Sequence, residues 1–167
     1  MRGRAVRADH VVAHPPERVY AFLAQLDNHW HLSDRYLRLE RVSGDGRGGR
    51  IVIRTPLGLR RTARTVVTTA REPHAFGGTA VVGRRTRAQA RWSIEPLDDG
   101  ARVGLEAIVS SASTPDRLLL ALGGRWWLRR SFARVLARLA DALEQAEAEA
   151  TRVDAVQPRP VVCASVA

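Results

Sequence analysis

The chain has 167 residues, of which 45% are hydrophobic, and its formal net charge is +10. A chain near this length fits one domain that buries roughly 70% of its unfolded surface, so it needs no disulfide or metal in order to fold. All 27 basic residues are arginine. They are spread over every predicted element, which favours a solvated surface with weak attraction to polyanions over a specific nucleic-acid site.

The composition also excludes several classes of protein. No apolar stretch reaches the roughly 18 residues that a membrane span needs, and none follows the basic N-terminus as a signal peptide would require. The single Cys163 has no partner for a disulfide within the chain, as is usual in a reducing compartment. We therefore expect a cytoplasmic protein.

The chain begins with a strand that leads directly into a helix. The strand is predicted at 7–13, and Pro15-Pro16 follows it. Proline has a φ angle close to the helical value and lacks the N–H that a first turn leaves unpaired, so it favours a helix start. The spacing of the apolar residues predicts a short helix over 16–26 and a second short helix or a loop over 27–34.

The middle of the chain is predicted to consist of strands. Alternating apolar and polar residues, separated by glycine- and proline-containing turns, predict strands at 36–42, 50–55, 59–70, 76–82, 86–95 and 101–109. Asp99-Gly100 is a hairpin signal between the last two. Along 86–95, Ala88, Ala90, Trp92 and Ile94 share one face. Turns at this spacing favour an antiparallel meander.

A long helix is predicted to close the fold. Ser113 or Thr114 caps its start, and Pro115 lies in its first turn. Gly123-Gly124 is expected to kink or interrupt the helix. Beyond this point an apolar stripe predicts that one face packs against the sheet.

Two stretches of the sequence resemble a known superfamily. The likeness is carried by Ala13, Pro15-Pro16-Glu17-Arg18-Val19, Phe22-Leu23 and Trp30, and by Trp92-Ser93-Ile94-Glu95-Pro96 with Asp99-Gly100-Ala101-Arg102-Val103. With the order of the elements, these residues are similar to the START-like superfamily, also called SRPBCC proteins, and in particular to its polyketide cyclase/dehydrase and lipid-transport branch. The likeness covers roughly residues 7–148.

The resemblance implies an α+β helix-grip fold. In that fold a curved antiparallel sheet of about seven strands wraps around a long C-terminal helix, with two short helices after the first strand. A mostly apolar pocket lies between the sheet and the helix. We expect one START-like domain over 1–150 and a disordered tail over 151–167, where prolines and small residues show no clear period.

The favoured hypothesis is that this pocket binds a hydrophobic or aromatic small molecule, such as a lipid, a polyketide or a quinone-like compound. The residues predicted to line it are Trp30, Tyr36, Phe76, Trp92, Leu105, Trp127 and Phe132. No cofactor is implied. A metal site is not expected, because His29 and His31 provide two ligands where zinc usually takes three or four.

A first alternative is a polyketide aromatase/cyclase or dehydratase that uses acid–base catalysis in the same cavity. Its candidate catalytic residues are Arg64, His74, Arg91 and Glu106. The alternation along their strands favours an outward position for Arg91 and Glu106.

A second alternative is a module that docks on a membrane or a partner. Trp126 and Trp127 are adjacent in a predicted helix, so both cannot face the sheet, and Arg125, Arg129 and Arg130 surround them. Tryptophan and arginine are common where proteins contact anionic membranes. This pattern predicts a weak membrane contact at most, and nothing in the sequence indicates an oligomeric state.

Overall fold

The structure is a computed structural model, and it describes residues 5–55 and 58–156. Seven strands form one sheet: β1 (Val6–Val12), β2 (Leu37–Val42), β3 (Gly48–Arg54), β4 (Arg60–Arg71), β5 (Ala75–Val82), β6 (Thr86–Leu97) and β7 (Gly100–Ser111). The helices are α1 (Pro16–Ala24), a 3-10 helix (Leu26–Trp30), α2 (Thr114–Leu119), a π-helical turn (Leu120–Gly124) and α3 (Arg125–Val156). None of these helices is both long and apolar enough to span a membrane.

Strands β2 to β7 form an antiparallel meander, and β1 is added at one edge. The strand order is β1-β7-β6-β5-β4-β3-β2, so the first strand of the chain lies beside the last. The pairing register shifts within β2 and β4 and between β6 and β7, and such irregularities bend strands and increase their twist. The sheet is curled, and the helices lie on its concave face. The predicted α+β helix-grip fold is thereby confirmed.

The short helix α1 begins at its predicted proline and covers one end of the sheet. Pro16 occupies its first turn, and Val19 and Leu23 are fully buried against the strands. The next turn of chain forms the 3-10 helix, where the sequence left a helix or a loop open. Both short helices follow β1, as the resemblance implied.

The dense part of the core lies between the sheet and the middle of α3. Leu136, Leu139 and Leu143 are at most 1% exposed, and they belong to the same buried cluster as Ile94 of β6 and Val103 of β7. Their spacing of three and four residues keeps them on one helical face. This face therefore fixes α3 against the sheet.

The chain between β7 and α3 is an interrupted helix. Ser113 caps α2, since its hydroxyl accepts a hydrogen bond from the Asp116 N–H. The helix then departs from helical geometry at Leu122 (φ −85°, ψ 30°) and Gly123 (φ 103°, ψ −2°), where glycine avoids the strain of a positive φ. The interruption lies at the predicted glycine pair.

The end of α3 differs from the expected boundary. The helix runs to Val156, six residues beyond position 150. The rest of the predicted tail, which includes Cys163, lies outside the described residues.

Candidate functional site: a cavity between sheet and helix

A cavity of about 360 Å³ lies between the concave face of the sheet and the helical segment that follows β7. Strands β2 to β7 form its floor, the 3-10 helix closes one side, and α2, the π-helical turn and the start of α3 cover it. Aliphatic and aromatic side chains make up most of its wall. This volume lies in the range of small-molecule sites in proteins.

The hollow is located where the inward residues of the sheet are small. On β6, Ala88 and Ala90 line the cavity, whereas Ile94 of the same face lies in the dense core and Trp92 lies at the boundary. Ala107 of β7 also lines the cavity. An alanine leaves space that a larger side chain would fill, and the curved sheet places the covering helix too far away to fill it.

Four of the predicted lining residues do form the wall. Trp92 and Leu105 belong to the sheet, and Trp127 and Phe132 belong to α3. Trp127 packs edge-to-face against Tyr36, with ring centroids 5.9 Å apart. Its neighbour Trp126 is 67% exposed. The two adjacent tryptophans therefore face different sides of the helix, as expected from the sequence.

Three of the predicted lining residues lie outside the wall. Trp30 faces a separate surface groove beside β2 and β3. Tyr36 lies behind Trp127, with the Arg134 guanidinium carbon 4.8 Å from its ring centroid. Phe76 is buried in the core, edge-on to His29. Each is aromatic and partly or fully packed, so sequence alone could not separate it from a cavity residue.

The four candidate catalytic residues also lie away from the wall. Arg64, His74 and Arg91 are exposed, and Glu106 is half-buried. Arg64 and Arg91 alternate with the wall residues Ala63 and Ala90, so the pleat directs them to the convex face. His74 lies in the turn before β5.

A polar cluster around Asp116 forms one end of the cavity. Thr86 Oγ1 and Ser113 Oγ donate to Asp116 Oδ2, the latter at 2.7 Å. An Arg61 guanidinium nitrogen lies 3.2 Å from Asp116 Oδ1. Burial raises the pKa of Asp116, but the Thr86 and Ser113 hydrogen bonds and the Arg61 charge outweigh it, so the pKa lies below its ordinary value. The carboxylate is therefore ionised at neutral pH.

A half-buried histidine forms another polar part of the wall. His29 packs edge-on against Phe76 and Trp92, with ring centroids 6.2 and 6.3 Å away. Burial lowers the pKa of His29, and the hydrogen bond to the Leu23 carbonyl opposes this effect more weakly. Because Nε2 lies 2.9 Å from that carbonyl oxygen, the neutral ring carries its proton on Nε2. Nδ1 is then unprotonated and can accept a proton.

Arg61, Thr86 and Asp116 were not predicted as wall residues from the sequence, because they come from three separate elements. Arg61 belongs to β4, Thr86 to β6 and Asp116 to α2. One local signal was available, since Ser113 and Asp116 have the spacing of a helix capping box. Within the described residues, no group of three or more His, Cys, Asp or Glu side chains could hold a metal ion.

Solved structures with the same architecture cover most of the chain. The protein TTHA0849 from Thermus thermophilus is 22% identical, with a TM-score of 0.69, and the match covers 86% of this chain and 99% of that one. The protein Ms6760 from Mycobacterium smegmatis is 16% identical, with a TM-score of 0.60 and coverage of 82% and 88%. DynU16, a protein of the dynemicin biosynthetic locus, is 12% identical, with a TM-score of 0.58 and coverage of 85% and 48%. At these identities the likeness concerns the fold.

No curated protein sequence matches the chain. A family model does match it, over residues 4–144, and its description is polyketide cyclase/dehydrase and lipid transport. That match includes β1 to β7, the covering turns and most of α3, and therefore all the elements that enclose the cavity. The chain belongs to the polyketide cyclase/dehydrase and lipid transport family.

Proposed function

We propose that the protein binds a hydrophobic or aromatic small molecule, of the lipid, polyketide or quinone-like kind, in the cavity between sheet and helix. The observation that carries the proposal is the cavity itself, about 360 Å³ in volume and lined mainly by apolar side chains. Unfilled apolar space destabilises a protein, so a cavity of this size points to an occupant. The family, which includes lipid transport in its description, supports the same class of function.

The polar end of the cavity favours a ligand that has one polar group. Arg61 lines this end, and its contact with Asp116 involves one guanidinium nitrogen. A guanidinium has five N–H donors, so it can also donate to a ligand carbonyl or carboxylate. The expected ligand is therefore an elongated apolar molecule with an oxygen-bearing end beside Arg61.

The proposal is tested with a variant that fills the cavity with larger side chains and leaves the rest of the sheet unchanged. We expect cis-parinaric acid, a fluorescent fatty acid, to bind saturably, and the double variant Ala88→Leu/Ala90→Leu to weaken its affinity by about tenfold or more. Gln89→Leu is the matched control, because Gln89 is exposed on the opposite face of β6. The proposal fails if no lipid, quinone or aromatic polyketide binds, or if the filling variant and the control behave alike.

A second candidate function is polyketide cyclisation or dehydration, and His29 is the observation that favours it. A neutral imidazole in the wall can remove a proton from a methylene group between two carbonyls. The resulting enolate carbon attacks another carbonyl of the same chain, and the new alkoxide takes up the proton. Loss of water from this product completes a dehydration, so the reaction needs no further reactant.

This candidate is tested by removing the base while keeping the ring. His29→Phe preserves an aromatic side chain against Phe76 and Trp92, and should lower the turnover of poly-β-ketone substrates by about 100-fold or more while binding is retained. His74→Phe is the control, because His74 is exposed. Equal turnover in the wild type and His29→Phe would reject His29 as the base.

A further inference from the structure

The segment that covers the cavity has an unusual outer surface. Leu118, Leu122 and Trp126 are 59%, 76% and 67% exposed, the highest values among the large hydrophobic residues that the structure describes. They are spaced four residues apart, between the end of α2 and the first turn of α3. We call residues 117–130 the cover segment. Apolar side chains exposed together in this way indicate a surface that contacts something else.

The same segment is strongly basic. Arg117, Arg125, Arg129 and Arg130 are exposed, and the chain has no acidic residue between Asp116 and Asp141. Within the described part of the chain, these four arginines form no ion pair, and Arg130 lies over the Trp126 ring, 5.6 Å from its centroid. Arg125 lies in the first turn of α3, where positive charge opposes the helix dipole. The helix dipole therefore does not explain the arginines of α3.

The turn between β5 and β6 extends the basic surface. Arg84 and Arg85 are exposed in this turn. The turn lies beside α2, because Thr86, which follows it, contacts Asp116 and Ser113. Exposed arginines thus come both from the cover segment and from a second element beside its N-terminal end.

The inner side of the cover segment is part of the cavity wall. Leu119, Leu120, Gly124 and Trp127 line the cavity, and they alternate with the exposed residues. The helical geometry is interrupted at Leu122 and Gly123, in the middle of the segment. A contact on the outer side therefore acts on the same few residues that separate the cavity from the solvent.

We propose that the cover segment docks on an anionic lipid membrane, and that the cavity exchanges its ligand there. Leucine and tryptophan insert into the interfacial layer of a bilayer, while arginine pairs with lipid phosphates. A segment that exposes both apolar side chains and arginines presents both kinds of contact at once. The docking follows from the surface alone, whereas the exchange of ligand rests on the proposed function.

The direct test is co-sedimentation with vesicles of phosphatidylcholine alone or mixed with phosphatidylglycerol. We expect binding to the mixed vesicles that weakens as salt is added. The variant Leu122→Ser/Trp126→Ser should lower the bound fraction by about tenfold. Val66→Ser/Leu97→Ser is the matched control, because these two side chains are exposed elsewhere on the sheet.

A second pair of variants separates docking from general charge attraction. Arg125→Gln/Arg129→Gln/Arg130→Gln should abolish the binding, and Arg41→Gln/Arg47→Gln/Arg71→Gln, which removes the same charge at exposed sites outside the cover segment, should retain it. Equal losses in both variants would overturn the proposal. The proposal would also be overturned if the wild type did not bind the mixed vesicles. It would be overturned as well if the variants of the cover segment lost binding to single-stranded DNA but still bound the vesicles.

The exchange of ligand is tested by transfer of cis-parinaric acid from vesicles to the protein. We expect Leu122→Ser/Trp126→Ser to slow the transfer while the affinity measured in free solution is unchanged. If the probe does not bind in free solution but the vesicle contact persists, the proposed function fails and the docking stands. If transfer is equally fast in the variant, docking does not serve exchange.

Discussion

The two halves of the helical segment after β7 lie over the same sheet but pack against it differently. In the core half of α3, residues 136–143, Leu136 and Leu139 are completely buried. In the cover segment, the exposed fraction of three large apolar side chains exceeds one half. The difference originates in the sheet, because β6 contributes Ile94 to the core cluster that contains Leu136 and Leu139, whereas its Ala88 and Ala90 line the cavity. The dense core and the cavity wall therefore lie at different ends of the helical segment.

The largest expected effect compares one leucine in each half. We expect Leu139→Ala to lower the free energy of unfolding by about 3 kcal/mol, because it opens a new cavity in dense packing. Leu120→Ala should cost less than about 1 kcal/mol, since Leu120 already borders the hollow. Urea unfolding of both variants measures the difference. Equal losses would contradict the division into two halves.

Arg134 joins α3 to the chain before β2 at the boundary between the halves. Asp34, whose side chain is 4% exposed, accepts hydrogen bonds from Arg134 Nε at 3.2 Å and from the Tyr36 and Leu37 N–H groups. Arg134→Leu leaves this carboxylate without its cation and should cost about 2 kcal/mol of unfolding free energy, measured by urea unfolding. Arg129→Leu, on the exposed side of the same helix, should change it by less than about 0.5 kcal/mol.

The interruption at Gly123 is tested by a pair of opposite substitutions. Gly123→Ala should cost about 1.5 kcal/mol, because the positive φ strains a residue that has a Cβ, although the space around it is open. Ala133→Gly, at an exposed position inside regular α3, should also destabilise, by about 1 kcal/mol, since here alanine is the better helix former. Thermal unfolding compares the two. A gain in stability from Gly123→Ala would mean that the cover segment prefers a continuous helix.

Asp116 gives the smallest effect, and one that depends on pH. Asp116→Asn keeps an oxygen for Thr86 and Ser113 but loses the charge that pairs with Arg61, and should cost about 1 kcal/mol at neutral pH. The pKa of Asp116 is lower in the folded state than its ordinary 3.8. Its stabilisation is therefore complete above about pH 4 and is lost as the pH falls through the folded pKa.

Unfolding of the wild type and Asp116→Asn at a series of acidic pH values tests this linkage. The difference in unfolding free energy between the two proteins should shrink as the solution becomes more acidic. A difference that stays constant across that range would show that the charge of Asp116 does not stabilise the fold.

Much of the fold was predictable from local patterns. The alternation along β6, the proline start of α1 and the cap at Ser113 each depend on residues close together in the sequence, so they are visible without the structure. The same holds for the interruption at Gly123, because a positive φ has a strong residue preference.

The candidate site was predictable only in part. Trp92 and Trp127 line the cavity as expected, whereas Phe76 lies in the core and Trp30 faces another groove. An inward aromatic side chain has the same sequence pattern whether it meets a packed neighbour or empty space. The pattern therefore identifies the face of a residue but not what lies opposite it.

The sequence by itself determined the order of strands and helices, their inward faces and the family to which the chain belongs. The tertiary structure alone decided where the hollow lies and which polar groups reach it, since His29, Arg61 and Asp116 come from segments far apart in the chain. The physical reason is that periodicity is a property of neighbouring residues. The size of a cavity depends on the distance between the sheet and the helix, and that distance depends on the curvature of the whole sheet.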